Sequence, residues 1–169
     1  AEGALRESEE MFRAFFEQNS VGFSMINVDG SWLRFNDKLC EMTGYSREEL
    51  PGVNWHVVTP PEDQERERSL LKDLISGEID SYTIEKRCIR RDGSTIDIFV
   101  LTKPLRRPDG EVWCFASIIQ DISERKKNER ELARHQEAII GSMAILAERR
   151  DHGTGEHIQR TKFFVQRLL

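Results

Sequence analysis

The sequence predicts an α+β fold, a five-stranded antiparallel sheet with short helices on one face, entered through an amphipathic helix and left through a long polar one. Three observations carry this. Two short apolar runs are followed by a helical insert and then by three longer apolar runs in hairpin succession. The runs are separated by Asp29-Gly30, Asp92-Gly93 and Pro108-Asp109-Gly110, turn sequences whose glycine tolerates positive φ. The period then switches at Asp121-Ile122-Ser123-Glu124-Arg125. Before it, Val112 to Ile119 is apolar almost throughout, whereas Lys126 to Arg149 carries apolar residues only at helical spacing.

Each element follows from its residues. Leu5, Phe12, Phe15 and Phe16 share one helical stripe, so residues 4–18 form an amphipathic helix ending near Asn19. Strands are expected over 21–28 and 31–35, joined by Asp29-Gly30. Asn36 caps a first small helix that Gly44 ends. Ser46 and Glu49 form a capping box for a second, which Pro51-Gly52 stops, and Thr59-Pro60-Pro61-Glu62 opens a third that runs to Gly77. Strands over 82–90, 95–102 and 112–120 complete the sheet. One of its faces holds any cavity, and the other must find a cover. Asp121 and Glu124 then make a reciprocal capping box for the last helix.

Composition bounds the function. A formal net charge of −5, with no clustered basic face, argues against nucleic acid as a partner. Cys40, Cys88 and Cys114 are widely spaced, odd in number and set in apolar or strand-like stretches, so they read as buried small hydrophobes in a reducing compartment. No run approaches the roughly 18 apolar residues of a membrane span, and the first residues lack a signal pattern. A cytoplasmic segment without direct membrane contact is expected.

In the last helix Leu132, Ile139 and Leu146 recur every seven residues, with Glu129, Gln136 and Met143 at the alternate seam positions. This is a coiled-coil pattern with two polar breaks, and a buried Gln136 would set register at a cost in stability. A homodimer through the N-terminal and C-terminal helices is expected, with Asp121, Glu124 and the seam as the signal relay.

Together these elements resemble a PAS domain with its C-terminal PAC half. The resemblance is carried by Asn36, Leu39 and Cys40, the run Met42-Thr43-Gly44-Tyr45-Ser46-Arg47-Glu48-Glu49-Leu50, and Thr59-Pro60-Pro61-Glu62-Asp63. Glu85-Lys86-Arg87 leading to Arg91-Asp92-Gly93, and the closing Asp121-Ile122-Ser123-Glu124-Arg125, complete it. It spans roughly residues 8–126 and implies a sensory or interaction module of a bacterial signalling protein. The organisation expected is a helix over 1–18, a PAS/PAC sensor over 19–122, a coiled-coil linker over 123–150 and the start of an output domain over 151–169.

The resemblance leaves the ligand open. Flavin-binding light sensors of this family place a reactive cysteine in a Gly-x-Asn-Cys-Arg-Phe run. Here Gly52-Val53-Asn54-Trp55-His56-Val57 puts Trp55 there, which argues against a photoactive flavin. Haem-binding relatives place an axial histidine on the long helix, and residues 62–75 contain none, so His56 is the lone imidazole of the core. A small organic ligand and a core packed by its own side chains both stay open. The pocket lining expected is Phe23, Met25, Phe35, Leu39, Met42 and Trp55 from the first half of the core. From the second half it is Leu71, Leu74, Phe99, Leu101, Trp113 and Phe115. Asn36, Asn54, His56, Tyr82, Thr83 and Ser117 are the polar candidates for orienting a ligand.

Beyond residue 146 the chain resembles the opening of an HD-GYP domain, the metal-dependent cyclic di-GMP phosphodiesterase family. Glu148, Arg150, Asp151, Thr154, Gly155, His157 and Arg160 match its first helices. That resemblance makes His157 a metal ligand only in an intact output domain. Residues 158–169 supply no further ligand, so the chain by itself is not expected to be an enzyme. His157-Ile158-Gln159-Arg160-Thr161 also faintly copies a histidine-kinase phosphoacceptor, although that pattern wants an acid where Ile158 stands and a proline where Lys162 stands. A pure dimerisation module is the third alternative.

Overall fold

The structure is a computed structural model that describes residues 2–17 and 20–150, excluding the side chains of residues 2, 4, 5 and 147–150. The chain divides into two units, Ala1–Glu124 and Arg125–Leu169.

In the first unit, α1 (Glu2–Glu17) precedes a sheet of β1 (Gly22–Asn27), β2 (Trp32–Phe35), β3 (Tyr82–Ile89), β4 (Thr95–Arg106) and β5 (Val112–Asp121). The spatial order is β2-β1-β5-β4-β3, and all four pairings are antiparallel, which is the sheet expected. Between β2 and β3 lie α2 (Asp37–Thr43) and α3 (Pro61–Ser76). β4 outruns its expected end at Thr102 by four residues, because Pro104 and Leu105 still pair with Phe115 and Cys114 before the register shifts at Arg106.

The turns behave as their residues require. Asp29 Oδ1 accepts from both the amide and the hydroxyl of Ser31, and Gly30 takes φ +87°. Gly30 is needed twice over, since a Cβ there would lie 2.8 Å from Trp55 Cδ1 and from Asn54 Oδ1. The capping box at Ser46 and Glu49 forms, with Ser46 N donating to Glu49 Oε2 and Glu49 N to Ser46 Oγ. It closes only a turn and the 3-10 segment Leu50–Gly52 rather than a helix, because Pro51 offers no N–H to continue one.

Asn36 is wholly buried and uses its full hydrogen-bonding capacity. Its Oδ1 accepts from Phe23 N and Leu39 N, while Nδ2 donates to Phe16 O and Val21 O at 2.9 and 3.0 Å. One side chain thus caps α2, braces β1 and fastens the end of α1. Phe16, the buried residue of the apolar stripe on α1, stacks on Phe23 at a centroid distance of 5.7 Å. α1 therefore supplies part of the cover for the outer sheet face. Phe12 and Phe15 on the same stripe stay exposed.

In the second unit, α4 (Ser123–Arg150, begun at the end of the first) carries the i,i+4 pairs Arg125–Glu129 and Lys127–Glu131. Leu132, Ile139, Met143 and Leu146 are all exposed along it. No helix among the described residues is long and apolar enough to cross a membrane.

Candidate functional site

Alternation along the strands decides which side chains face the helices. The inner row runs across four strands as Ser24 (β1), Ser117 (β5), Thr102 (β4) and Tyr82 (β3), each paired with the next. Thr102 Oγ1 and Ser117 Oγ share a hydrogen bond of 2.8 Å, and both residues are buried. The neighbouring rows are apolar, with Ile119, Val100 and Ile84 in one.

Over this face α2, α3 and the loop containing Trp55 border a cavity of about 60 Å³ that is partly open to the surface. The sheet contributes Ser24, Ile26, Ile98, Val100, Ser117 and Ile119, together with Trp32, Tyr82, Lys86 and Cys88. The helices and loop add Leu39, Met42, Thr43, Trp55, Val58, Thr59 and Glu67. A larger hollow of about 310 Å³ between α1 and β2 is edged by Arg47, which already engages Glu17 and Asp37.

Two charged residues line the cavity, and they face each other. Lys86 Nζ pairs with Glu67 Oε2, donates to Thr59 Oγ1 at 2.8 Å, and lies 5.4 Å from the centre of the Trp55 ring. Glu67 Oε1 accepts from the Tyr82 hydroxyl at 3.2 Å. Burial, with the adjacent Glu67 charge, pushes the Tyr82 phenol well above its ordinary range. Burial likewise raises the Cys88 thiol to about 11, so this cavity-lining cysteine holds its proton near neutrality and is a poor nucleophile. Thr43 Oγ1 donates to Leu39 O and Thr59 Oγ1 to Trp55 O. Among the described residues no three His, Cys, Asp or Glu side chains converge on a metal position. Lys86, Glu67, Tyr82 and Thr59 are tied into one hydrogen-bonded cluster on the cavity wall.

Of the residues expected at a pocket, Leu39, Met42, Trp55, Tyr82 and Ser117 line this one. Phe23, Met25, Phe99 and Leu101 do not: they occupy the alternate positions and lie on the outer face, half-buried. Phe115 and Leu74 are core residues packed away from the cavity, and Leu71 and Phe35 are half-buried beside that core. Trp113 and Thr83 are exposed. Asn36 is consumed by its four structural bonds, and Asn54 braces the β1–β2 turn by donating to Asp29 O. His56 is exposed, its ring beside that of Trp55 and outside the cavity. The sequence reasoning missed Glu67 and Lys86. The signal for Lys86 lies in the alternation Tyr82, Ile84, Lys86, Cys88, which places a lysine in an otherwise inward row, and that for Glu67 in its helical register with Leu74.

At the end of β5 the strand turns into helix. Ile122 N donates to Asp97 O at 2.9 Å, and Asp97 N donates to Ser123 Oγ at 3.0 Å, so the first residue of α4 is pinned to β4. Asp121 Oδ1 accepts from Ser123 N at 2.8 Å. The cap is therefore one-sided, because Glu124 makes no reciprocal bond among the described residues. The other relay candidates, Glu129, Leu132, Gln136, Ile139, Met143 and Leu146, are exposed on α4. His157 and the whole segment 151–169 lie outside the described residues.

Known proteins share this architecture. A PAS domain from Colwellia psychrerythraea superposes with a TM-score of 0.63 at 20% identity, covering 69% of this chain and 97% of that one. The PAS domain of an HTR-like protein from Haloarcula marismortui superposes at 0.60 with 26% identity, covering 72% and 97%. Among curated proteins, the probable diguanylate cyclase DgcE of Escherichia coli is 36% identical over 126 residues, 75% of this chain and 11% of that protein. The C4-dicarboxylate transport sensor protein DctS of Rhodobacter capsulatus is 30% identical over 152 residues, 88% of this chain and 23% of that protein. The chain thus spans 11% to 23% of the length of these relatives. Residues 20–124 match the PAS domain family, and with the sheet order and helix-covered inner face above, the chain belongs to that family of sensor modules.

Proposed function

We propose that this chain senses a small molecule in its core cavity and relays occupancy through α4 to an output domain in the same polypeptide, working as a homodimer. The observation that carries this is continuity: β5 places Ser117 and Ile119 in the cavity wall and, within a few residues, becomes the helix that Asp97 pins through Ser123. A change at the wall therefore reaches the joint through one strand. The exposed Leu132, Ile139, Met143 and Leu146 give α4 an apolar stripe for a second copy of itself, with Glu129 and Gln136 as polar breaks. Two packings of such a seam separated by a few kcal/mol make a switch that a ligand's differential affinity can throw.

The output domain we propose is an HD-GYP cyclic di-GMP phosphodiesterase, on the match from Glu148 to Arg160. A second reading, a histidine kinase, is supported by relatives such as the sensor histidine kinase TmoS of Ectopseudomonas mendocina, 24% identical over 137 residues. The purified intact protein tests both: hydrolysis of cyclic di-GMP supports the first, and autophosphorylation from ATP replaces it with the second. The relay is tested by Glu129→Leu with Gln136→Leu. These should lock one register and fix the output, and an output still responsive in the double variant would refute the switch.

A further inference from the structure

The hollow between α1 and β2 gathers three arginines that the sequence scatters. Residues 12 and 16, and 13 and 17, lie a turn apart along one flank of α1, and residues 33–35 of β2 face them across the hollow. Phe12, Phe16, Leu33 and Phe35 supply apolar surface, and Arg13, Arg34 and Arg47 supply charge. The Arg34 guanidinium carbon lies 5.5 and 5.9 Å from the centres of the Phe12 and Phe16 rings, which places its head group at the wall of the hollow. Arg47 is spent, since Glu17 and Asp37 hold it. Arg13 stands one turn before Glu17, where an i,i+4 pair could form, but Glu17 is committed to Arg47 and to Asp37 N. Neither Arg13 nor Arg34 has a hydrogen-bond or carboxylate partner among the described residues, and both are exposed, so an incoming molecule can reach them.

We propose that this hollow is a second binding site, for monoanions with an apolar or aromatic body, whose carboxylate takes the free N–H fork of Arg34 while Arg13 supplies a second positive charge. The charges set the valence. Three guanidiniums stand against the carboxylates of Glu17 and Asp37, so one further negative charge closes the group. A carboxylate matches a guanidinium fork bidentately, which gives direction as well as attraction. On a chain of formal net charge −5, this local positive surplus attracts anions that the rest of the surface repels. The aromatic rings and Leu33 let the body of the ligand shed water. About 310 Å³ is roughly twice the 150 Å³ that holds a benzene ring, so a ring with a short acidic arm fits. The hollow shares no lining residue with the core cavity, and its occupant would bridge α1 and β2.

The test is a titration of the ¹⁵N-labelled chain with phenylacetate, 2-phenylacetamide, phenethylamine and acetate, followed at the backbone amides of α1 and β2. The amide copies the acid's shape without its charge, the amine reverses the charge, and acetate lacks the ring. Phenylacetate is expected to shift the amides of residues 12–17 and 33–35 saturably, and to bind about tenfold or more tightly than the other three. Arg34→Gln should weaken it about tenfold or more, while Arg107→Gln, at an exposed position on the β4–β5 turn, should leave it unchanged. Equal binding of the amide and the acid overturns the anion site, as does an Arg34→Gln chain that binds phenylacetate like wild type. Shifts confined to core residues such as Val100 would put the probe in the core cavity and overturn it too. If no probe moves these amides the hollow is not a ligand site, and shifts there that grow with protein concentration alone would assign it to a second copy instead. The wild-type comparison of the four probes decides the charge class even if the variant does not fold.

Discussion

Lys86 and Glu67, nineteen residues apart, form an ion pair whose side chains are only 7% and 8% exposed. Such a pair is costly to break and cheap to replace, because losing one partner strands the other charge away from water. Lys86→Met or Glu67→Leu alone should therefore destabilise the fold by about 3 to 5 kcal/mol. The combined variant should recover most of that loss. Urea unfolding of the four proteins measures the coupling, and additive single effects would mean that the pair is not a closed unit.

Alkaline pH should weaken the fold through Cys88 and Tyr82. Burial holds the Cys88 thiol at about 11, against 9.0 for an ordinary thiol. Below about pH 9 both folded and unfolded chains keep the proton, and the stabilisation is fully present. As pH rises toward 11 the unfolded chain loses its proton first, and stability falls by about 1.4 kcal/mol per pH unit from this residue. Tyr82, displaced in the same direction, steepens the decline. Urea midpoints collected from pH 8 to 11 should fall more gently in Cys88→Val. A slope matching wild type would assign the alkaline loss elsewhere.

Asp121 caps the strand-to-helix joint from one side, through Ser123 N. Asp121→Ala should cost about 1 kcal/mol and raise hydrogen exchange over the first turn of α4. Ser123→Ala removes the acceptor for Asp97 N and should loosen the start of β4 as well. Exchange that rises in neither place would make the joint a passive connector.

Gly30→Ala should destabilise by about 1 to 3 kcal/mol, combining a positive φ with a 2.8 Å approach to the Trp55 ring. Because Trp55 closes the cavity beside Lys86, its fluorescence should report the displacement. A variant as stable as wild type, with unchanged emission, would show that the Trp55 loop has room to move.

Element order was legible because punctuation carried it: Asp29-Gly30, Asn36, Gly44 and Gly77 each stop or start an element by their own chemistry. The facing of the strands was not. Phe23 is larger and more apolar than Ser24, which pointed it and Met25 inward, yet Met25 is no more apolar than its neighbour Ile26, and the outer face is apolar too and partly covered by Phe16 of α1. Period two shows that faces alternate and cannot say which is inside when both are greasy. Glu67 was invisible for a related reason. On α3 it sits among Asp63, Gln64, Glu65, Arg66 and Arg68, and only its register with Leu74 marks it as inward.

Within the row of hydroxyls from Ser24 through Ser117 and Thr102 to Tyr82, the bond between Thr102 and Ser117 also distinguishes the native register from its shifted copies. If β5 threaded one residue out of step, Ile118 would face Thr102, and the hydroxyl meant for Ser117 would be sealed in with nothing to bind. A misthreaded sheet of this sequence would retain its greasiness on both sides and lose this stitch, together with the bonds of Ile122 and Ser123 to Asp97. Three central strands that could otherwise pass for their own shifted copies thus acquire a single thread position that a collapsing chain can recognise as correct.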